Sequence, residues 1–310
     1  VYDNDVHDKI GKFCSASRIA AAGTSYNQII DAQPSHLIRM AVGLGFHRAR
    51  LKYAYKLLRG KDLETGVISD ETRDKNIGIF KTALEKVTDL NNWHSFLNLF
   101  AEAGYLNKSL VASNYVVVFS YVLYLLGKDE YKVQPIELRK VITRWIFMTT
   151  VTSFYSNSPE STVERQLADL RSIKSASDFV EYLNQTIKQK MNDSYFNVEL
   201  INDLTSSAAS SPVWYGYIAS INVLGTPMLF SNTPLSKYWV LGSDGMKKAI
   251  DKHHIFPKQH LADIGIPDDR DRNQLANFTY IDYNTNVDIS DDAPALYVGR
   301  YKAKLGEEGY

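Results

Sequence analysis

The fold of the C-terminal part of the chain is decided by residues 252–258, which read Lys-His-His-Ile-Phe-Pro-Lys. Successive side chains of a β-strand point to opposite faces, so His253 and His254 cannot serve the same purpose. Pro257 has no backbone N–H to continue a ladder, and it therefore predicts the end of the strand and the start of a loop. We expect a short strand that presents one histidine on each face.

Two asparagines follow this strand, Asn277 and Asn286. Residues 274–282 have strand character, and Asn286 falls at the start of the next predicted element. We expect the side chain of Asn277 to bond across the loop and hold the two strands in register. Asn286 is expected to lie beside His253, although Asn284, two residues earlier, is a rival for that position.

These side chains predict a metal-dependent hydrolytic site. His253, as a neutral imidazole, and Asn286, through its amide oxygen, are the predicted metal ligands, with water and phosphate oxygens completing the shell. Such a partial set of ligands suits Mg²⁺ or Mn²⁺. His254 is the predicted general base, because a reference pKa of about 6.5 leaves it mostly neutral at physiological pH. Asn277 completes the predicted catalytic set as its scaffold residue.

Two simpler interpretations compete with this one. A His-His pair taken alone is more often two polar residues on an exposed strand than a metal site. A structural zinc site would need four ligands, usually including thiolates, and the only cysteine is Cys14. The spacing of His260 from His254 matches no zinc pattern.

The same segments resemble the HNH nuclease domain, also called the ββα-metal or His-Me finger domain, of GmrSD-like type IV restriction enzymes. At the C-terminus the resemblance is carried by residues 253–258, 277–279 and 286–290. Residues 45–50 and 158–161 are similar to the helical region that precedes the nuclease in that family. The resemblance therefore covers most of the chain and is specific at its C-terminus.

The resemblance implies an HNH endonuclease that hydrolyses phosphodiester bonds of modified, double-stranded foreign DNA in a bacterial or archaeal defence system. It also implies an N-terminal NTP-hydrolysing domain, although this chain shows no phosphate-cradling glycine loop. Many such sites have Asp where this chain has His253, and a neutral imidazole leaves the preferred metal open. A DNA-sensing or regulatory module with a non-catalytic HNH fold and an RNA-cutting HNH toxin are the alternatives.

The composition is that of an ordinary globular protein, with 310 residues, 45 % hydrophobic and 23 % charged. Lys plus Arg and Asp plus Glu each number 35, so the net charge gives no indication of a nucleic-acid partner. A single cysteine suits the reducing cytoplasm, where we expect this chain to act. The longest apolar run, residues 115–126, is too short to span a bilayer, so we expect no membrane partner. The sequence does not determine the oligomeric state, and it is compatible with a homo-oligomer.

The order of patterns predicts a mainly α protein, because no alternation typical of strands occurs before residue 250. We interpret residues 1–33 as a linker or the remnant of a missing N-terminal domain. Residues 34–244 are predicted to form an α-helical domain, and residues 245–310 a small ββα-metal nuclease domain.

A basic segment, residues 33–61, is predicted to form one helix from Ser35 to Leu58, with Gly60 ending it. No Asp or Glu interrupts its cations. Four of them share one side of the helical wheel and are predicted to contact DNA phosphates: Arg48, Lys52, Lys56 and Arg59. Near the histidines the corresponding candidates are Lys258 and Arg272. The alternative for the basic segment is a solvated helix face that acids elsewhere in the chain balance.

Overall fold

The computed structural model describes residues 3–208, 210–240 and 249–305. It confirms a mainly helical protein, and a two-stranded sheet lies near the C-terminus of the described residues. Contacts divide the chain into two compact units. The first comprises Val1–Ala103 and Val111–Lys190, and the second comprises Gly104–Leu110 and Met191–Tyr310.

The first unit is built from helices. They are α1 (Asn4–Ala16), α2 (Pro34–Phe46), α3 (Leu51–Leu58), α4 (Asp70–Val87), α5 (Leu90–Glu102), α6 (Asn114–Leu125), α7 (Pro135–Val151), α8 (Pro159–Leu170) and α9 (Ala176–Lys190). Several begin at residues whose side chains accept a hydrogen bond from the first turn, namely Asp3, Ser69, Asp89 and Ser113. Others begin with proline, which needs no backbone donor at that position.

Helix α6 lies at the centre of this unit, because it is apolar on nearly every side and most of its residues are buried. Trp93 of α5 packs edge-on against Tyr121 of α6, with 5.2 Å between ring centroids. A π-helical turn, Leu126–Glu130, leads from α6 towards α7. Among the described residues, no helix combines the length and the apolar character that crossing a membrane requires.

Residues 3–33 do not behave as a linker. Ile10 and Phe13 of α1 are buried, and the Phe13 ring lies 5.4 Å from Trp93 in an edge-to-face contact. The indole N–H of Trp93 donates to the backbone carbonyl of Ser25 over 3.2 Å. This segment is therefore part of the core of the first unit, which corrects the interpretation of residues 1–33 for the part that is described.

The single helix predicted for residues 35–58 is also wrong. Helix α2 ends at Phe46, where His47 adopts a left-handed conformation with φ 49°, and α3 begins only at Leu51. The break is fixed from outside the segment by Glu164, whose carboxylate accepts hydrogen bonds from the Ala49 backbone N–H (2.7 Å) and from Arg48 (3.0 Å). An acid from another helix thus sets a boundary that local propensity does not.

The second unit contains the sheet and shorter helices. They are α10 (Leu200–Leu204), α11 (Pro212–Leu224), α12 (Ser236–Val240), β1 (Ile250–His254), α13 (Lys258–Asp263), α14 (Asp269–Arg272), β2 (Phe278–Asp282), α15 (Tyr283–Ile289) and α16 (Pro294–Leu305). Strands β1 and β2 pair antiparallel, so that His253 lies opposite Thr279 and His254 opposite Phe278. One side of the sheet region is closed by a buried cluster: Phe230, Ile281, Ile289, Tyr297 and Tyr301.

Helix α11 belongs with the sheet. The indole of Trp214 lies 5.7 Å from the Tyr280 ring and 6.2 Å from the Phe278 ring, both on β2. The compact second unit therefore begins well before the nuclease domain predicted for residues 245–310. The boundary predicted after residue 244 lies outside the described residues.

Candidate active site

Strand β1 separates the two histidines, as the alternation of a strand requires. His253 is buried, with 3 % of its surface exposed, and its ring meets the Tyr297 ring edge-on at 5.9 Å. His254 is only partly buried and lies against the Phe278 ring at 4.3 Å. The two imidazoles consequently have different neighbours.

On the His253 face, the partner is Asn286 from α15. Asp282 caps this helix by accepting hydrogen bonds from the backbone N–H groups of Asn284 (2.9 Å) and Thr285 (3.3 Å), so α15 starts directly after β2. That start brings Asn286 back to β1, where its Oδ1 lies 2.7 Å from Nδ1 of His253. The side chain of Asn284 is exposed, and Asn286, not Asn284, hydrogen-bonds to His253 among the described residues.

The sequence interpretation missed Asp251, which lies on the same face. Its Oδ2 accepts a hydrogen bond of 3.1 Å from Nδ2 of Asn286. Because a carboxylate only accepts, this contact fixes the amide with its nitrogen towards Asp251 and its oxygen towards His253. The signal was available, since Asp251 precedes His253 by two residues on a strand, and such residues share a face.

The electrostatics of His253 favour a neutral ring. Burial lowers its pKa, and repulsion from His254 acts in the same direction, while the bond to Asn286 opposes them. Its Nε2 is buried and has no hydrogen-bond partner among the described residues. A buried neutral imidazole with an unused nitrogen is a ready ligand for a cation.

Asn277 bridges the loop between the strands. Its Oδ1 accepts from the Phe256 backbone N–H (2.8 Å), and its Nδ2 donates to the carbonyls of Phe256 (2.9 Å) and Arg272 (3.1 Å). The Asn277 carbonyl also accepts from the Ile255 N–H over 2.8 Å. The cross-loop bonding expected of Asn277 is therefore present, and its contribution to catalysis stays a prediction.

On the opposite face, Nε2 of His254 lies 3.0 Å from Oδ1 of Asn273, a residue that sequence reasoning did not select. Burial lowers the pKa of His254, and the charges of Lys258 and Lys252 add to the effect, so the neutral ring is favoured. The Lys252 ammonium lies over the rings of Phe278 (3.7 Å) and Trp214 (4.5 Å). Through these cation–π contacts, the positive charge of Lys252 is held beside His254.

The His253 face offers nitrogen and oxygen donors of the kinds that divalent cations bind. The amide oxygen of Asn286 only accepts, so Nδ1 of His253 donates to it over 2.7 Å. The lone pair of the neutral ring then lies on Nε2, the nitrogen that would bind a cation. Among the described residues, no group of three or more His, Cys, Asp and Glu side chains could hold a metal ion. Asp251 places a carboxylate beside the Asn286 amide on this face.

The cations predicted to contact DNA near the histidines already have partners. Lys258 lies 3.4 Å from the Asp269 carboxylate. Arg272 lies 3.6 Å from the same carboxylate, donates to the Pro267 carbonyl over 3.2 Å and is only 19 % exposed. Both side chains thus contribute to the loop that carries Asn273.

The predicted DNA contacts of the basic segment separate into two kinds. Arg48 leaves the proposed stripe, because it lies in the break after α2 and pairs with Glu164. Lys52 and Lys56 are exposed one helical turn apart on α3, and the guanidinium of Arg59 lies over the Tyr55 ring at 5.2 Å. Three exposed cations remain available at this end of the segment.

Comparison of the chain with protein-family models, with curated proteins and with solved structures finds no match.

Proposed function

We propose that this chain is a metal-dependent DNA endonuclease of the ββα-metal, or HNH, type. The proposal is supported chiefly by one arrangement, in which His253 meets Asn286 on one face of β1 while His254 stands on the other. The order β1, β2 and α15, with Asn277 tying the loop between the strands, is the order such a site requires.

His254 acts as the general base. As its neutral ring accepts a proton from water, the water oxygen bonds to phosphorus and the bond from phosphorus to the 3′ oxygen breaks. Solvent supplies the proton that the leaving oxygen needs, and the products carry 5′-phosphate and 3′-hydroxyl ends. The lowered pKa keeps His254 ready to accept this proton at physiological pH.

His253 and Asn286 would hold Mg²⁺ or Mn²⁺, with Asp251 orienting the amide of Asn286. The bound cation supplies stabilisation of the charge that develops on the phosphate and on the leaving oxygen. Asn277 keeps β1 and the following loop at a fixed distance from β2, which preserves the spacing between base and ligands.

The biological setting follows from the resemblance to GmrSD-like enzymes and from the residues that carry it. On that basis the chain restricts modified foreign DNA in the cytoplasm and works with an NTP-hydrolysing domain of the same polypeptide. Lys52, Lys56 and Arg59 are the exposed cations that we assign to the DNA backbone.

A comparison of substrates tests the reaction class. Labelled duplex DNA, single-stranded DNA and RNA of one sequence are incubated with the chain and either Mg²⁺ or Mn²⁺, and the product ends are identified. We expect cleavage of duplex DNA with 5′-phosphate and 3′-hydroxyl ends. Cleavage of RNA alone would identify an RNA-cutting toxin instead. Binding of duplex DNA without cleavage in either metal would identify a sensing or regulatory module.

A further inference from the structure

Asn273 is the one side chain that hydrogen-bonds to the ring of His254 among the described residues, with 3.0 Å between Nε2 and the amide oxygen. It lies at the end of α14, outside both strands, so its position depends on the loop before β2. Asn277 fastens that loop by donating to the carbonyl of Arg272, the residue before Asn273. The contact to His254 is therefore supported by a defined piece of backbone.

The orientation of the Asn273 amide is determined by its other partner. Its Nδ2 donates to the Asp269 backbone carbonyl (2.7 Å) and to the Asp269 carboxylate (3.0 Å). A carbonyl and a carboxylate only accept hydrogen bonds, so the nitrogen must face Asp269 and the oxygen must face His254. The ion pairs of Lys258 and Arg272 with Asp269 hold the carboxylate in place.

This orientation selects one tautomer of His254. An amide oxygen accepts but does not donate, so Nε2 of His254 must carry the hydrogen. In the neutral ring the lone pair then lies on Nδ1, which makes no hydrogen bond to any described residue. The nitrogen that can accept a proton is thereby specified.

We propose that Asn273 is a positioning residue that holds His254 as its Nε2–H tautomer, so that Nδ1 takes the proton from the attacking water. This inference rests on the proposed nuclease function for its consequence, but the tautomer itself does not depend on cleavage. Asp269 acts through Asn273, and Lys258 and Arg272 act through Asp269. Two cations that the sequence suggested for DNA thus support the base.

The tautomer is measured by ¹⁵N NMR of the histidine rings in the metal-free chain, with the His254 signals identified by their loss in His254→Gln. We expect the unmodified chain to carry its ring proton on Nε2. Asn273→Leu removes the acceptor at similar volume, and we expect signals of both tautomers. Asn273→Gln keeps both the accepting oxygen and the donating nitrogen of the amide and is expected to restore the Nε2–H form. Asn202→Leu is the matched control, because Asn202 is exposed on α10 in the same unit.

Single-turnover cleavage of duplex DNA with Mn²⁺ gives the functional readout. Asn273→Leu should slow the step at saturating DNA by about 10- to 100-fold, less than complete loss of the base, with DNA affinity unchanged. Asn273→Gln should recover most of the rate, and Asn202→Leu should match the parent.

A ring proton on Nδ1 in the unmodified chain overturns the inference, even if Asn273→Leu does not fold. Equal cleavage rates and equal tautomers in the parent and in Asn273→Leu also overturn it. Absence of cleavage by the parent would refute the nuclease function and leave the tautomer result to decide on the role of Asn273.

Discussion

The strand-helix region (residues 250–289) and the basic segment (residues 33–61) both contain candidate functional residues in the sequence. In the structure, the polar side chains of the two regions have different kinds of partner. In the strand-helix region, the amide of Asn286 joins Asp251 to His253, and Nε2 of His253 has no hydrogen-bond partner in the described part of the chain. In the basic segment, Arg39 pairs with Glu160 and Arg48 with Glu164.

The difference shows what separates a chemical site from a charge run. Hydrogen bonds in the first region orient the reactive atoms without using all of them, which is the arrangement that catalysis and metal binding need. Ion pairs in the second region neutralise two of the cations and shape the break between α2 and α3. Lys52 and Lys56, in the exposed part of the basic segment, form no ion pair with an acid among the described residues.

Loss of the general base should have the largest effect. His254→Ala should slow DNA cleavage by about 10²- to 10⁴-fold, because it removes the group that we propose accepts the proton from water. Single-turnover rates measure the change, and DNA affinity should stay the same. His94→Ala, which alters an exposed histidine of α5, is the control. Cleavage by His254→Ala at close to the parental rate would show that His254 is not the general base. The strand-helix region would then have no more support as a chemical site than the basic segment.

Loss of a metal ligand should have the second-largest effect on cleavage. His253→Ala or Asn286→Ala should raise the Mg²⁺ or Mn²⁺ concentration for half-maximal cleavage by more than the roughly 10- to 100-fold that loss of an outer-shell partner causes. Titration of the rate against metal concentration provides the measurement. If both variants titrate like the parent, the ligand is Asn284 or His260, and the proposed site is wrong.

Asp251 offers a smaller and more specific test of the same face. Asp251→Asn keeps the size of the side chain but allows the Asn286 amide to turn, so metal affinity should fall by about 10-fold. Calorimetric titration with Mn²⁺ measures this affinity without DNA. Asp291→Asn removes the same charge from an exposed position and should bind as the parent does. Equal affinity in both variants would show that Asp251 does not orient the ligand.

The smallest effect is expected in the basic segment. Reversal of Lys52 and Lys56 to Glu should weaken duplex binding and lower the slope of log affinity against log salt by about 0.9 for each lost phosphate contact. Stability should change little, because both side chains are exposed. Lys9→Glu with Lys12→Glu makes the same charge change on α1. If the two double variants have the same slope as the parent, the basic segment is a solvated face.

Local rules were sufficient where a feature depends on neighbouring residues. Strand alternation separated His253 from His254, and the lack of a donor at Pro257 ended the strand before α13. Spacing from Asn277 selected Asn286 over Asn284, and the structure brings Asn286 to His253.

Features that depend on distant partners were not predictable in this way. Glu164 lies far along the chain from His47, so no pattern within residues 35–58 indicated the helix break. Asn273 acquires its role from the turn that carries it to His254, and Arg272 faces inward because Asp269 and Pro267 hold it. In each case the tertiary contact decides, and a single sequence does not specify it.

Cleavage of supercoiled plasmid by the parent chain with Mg²⁺, with Mn²⁺ and with EDTA tests the central claim most directly. The account predicts nicked or linear DNA with at least one metal, no product with EDTA, and recovery when excess Mn²⁺ is added back. An intact plasmid in both metals, with a folded protein that binds the DNA, would contradict it. So would cleavage that persists in EDTA and in His254→Ala.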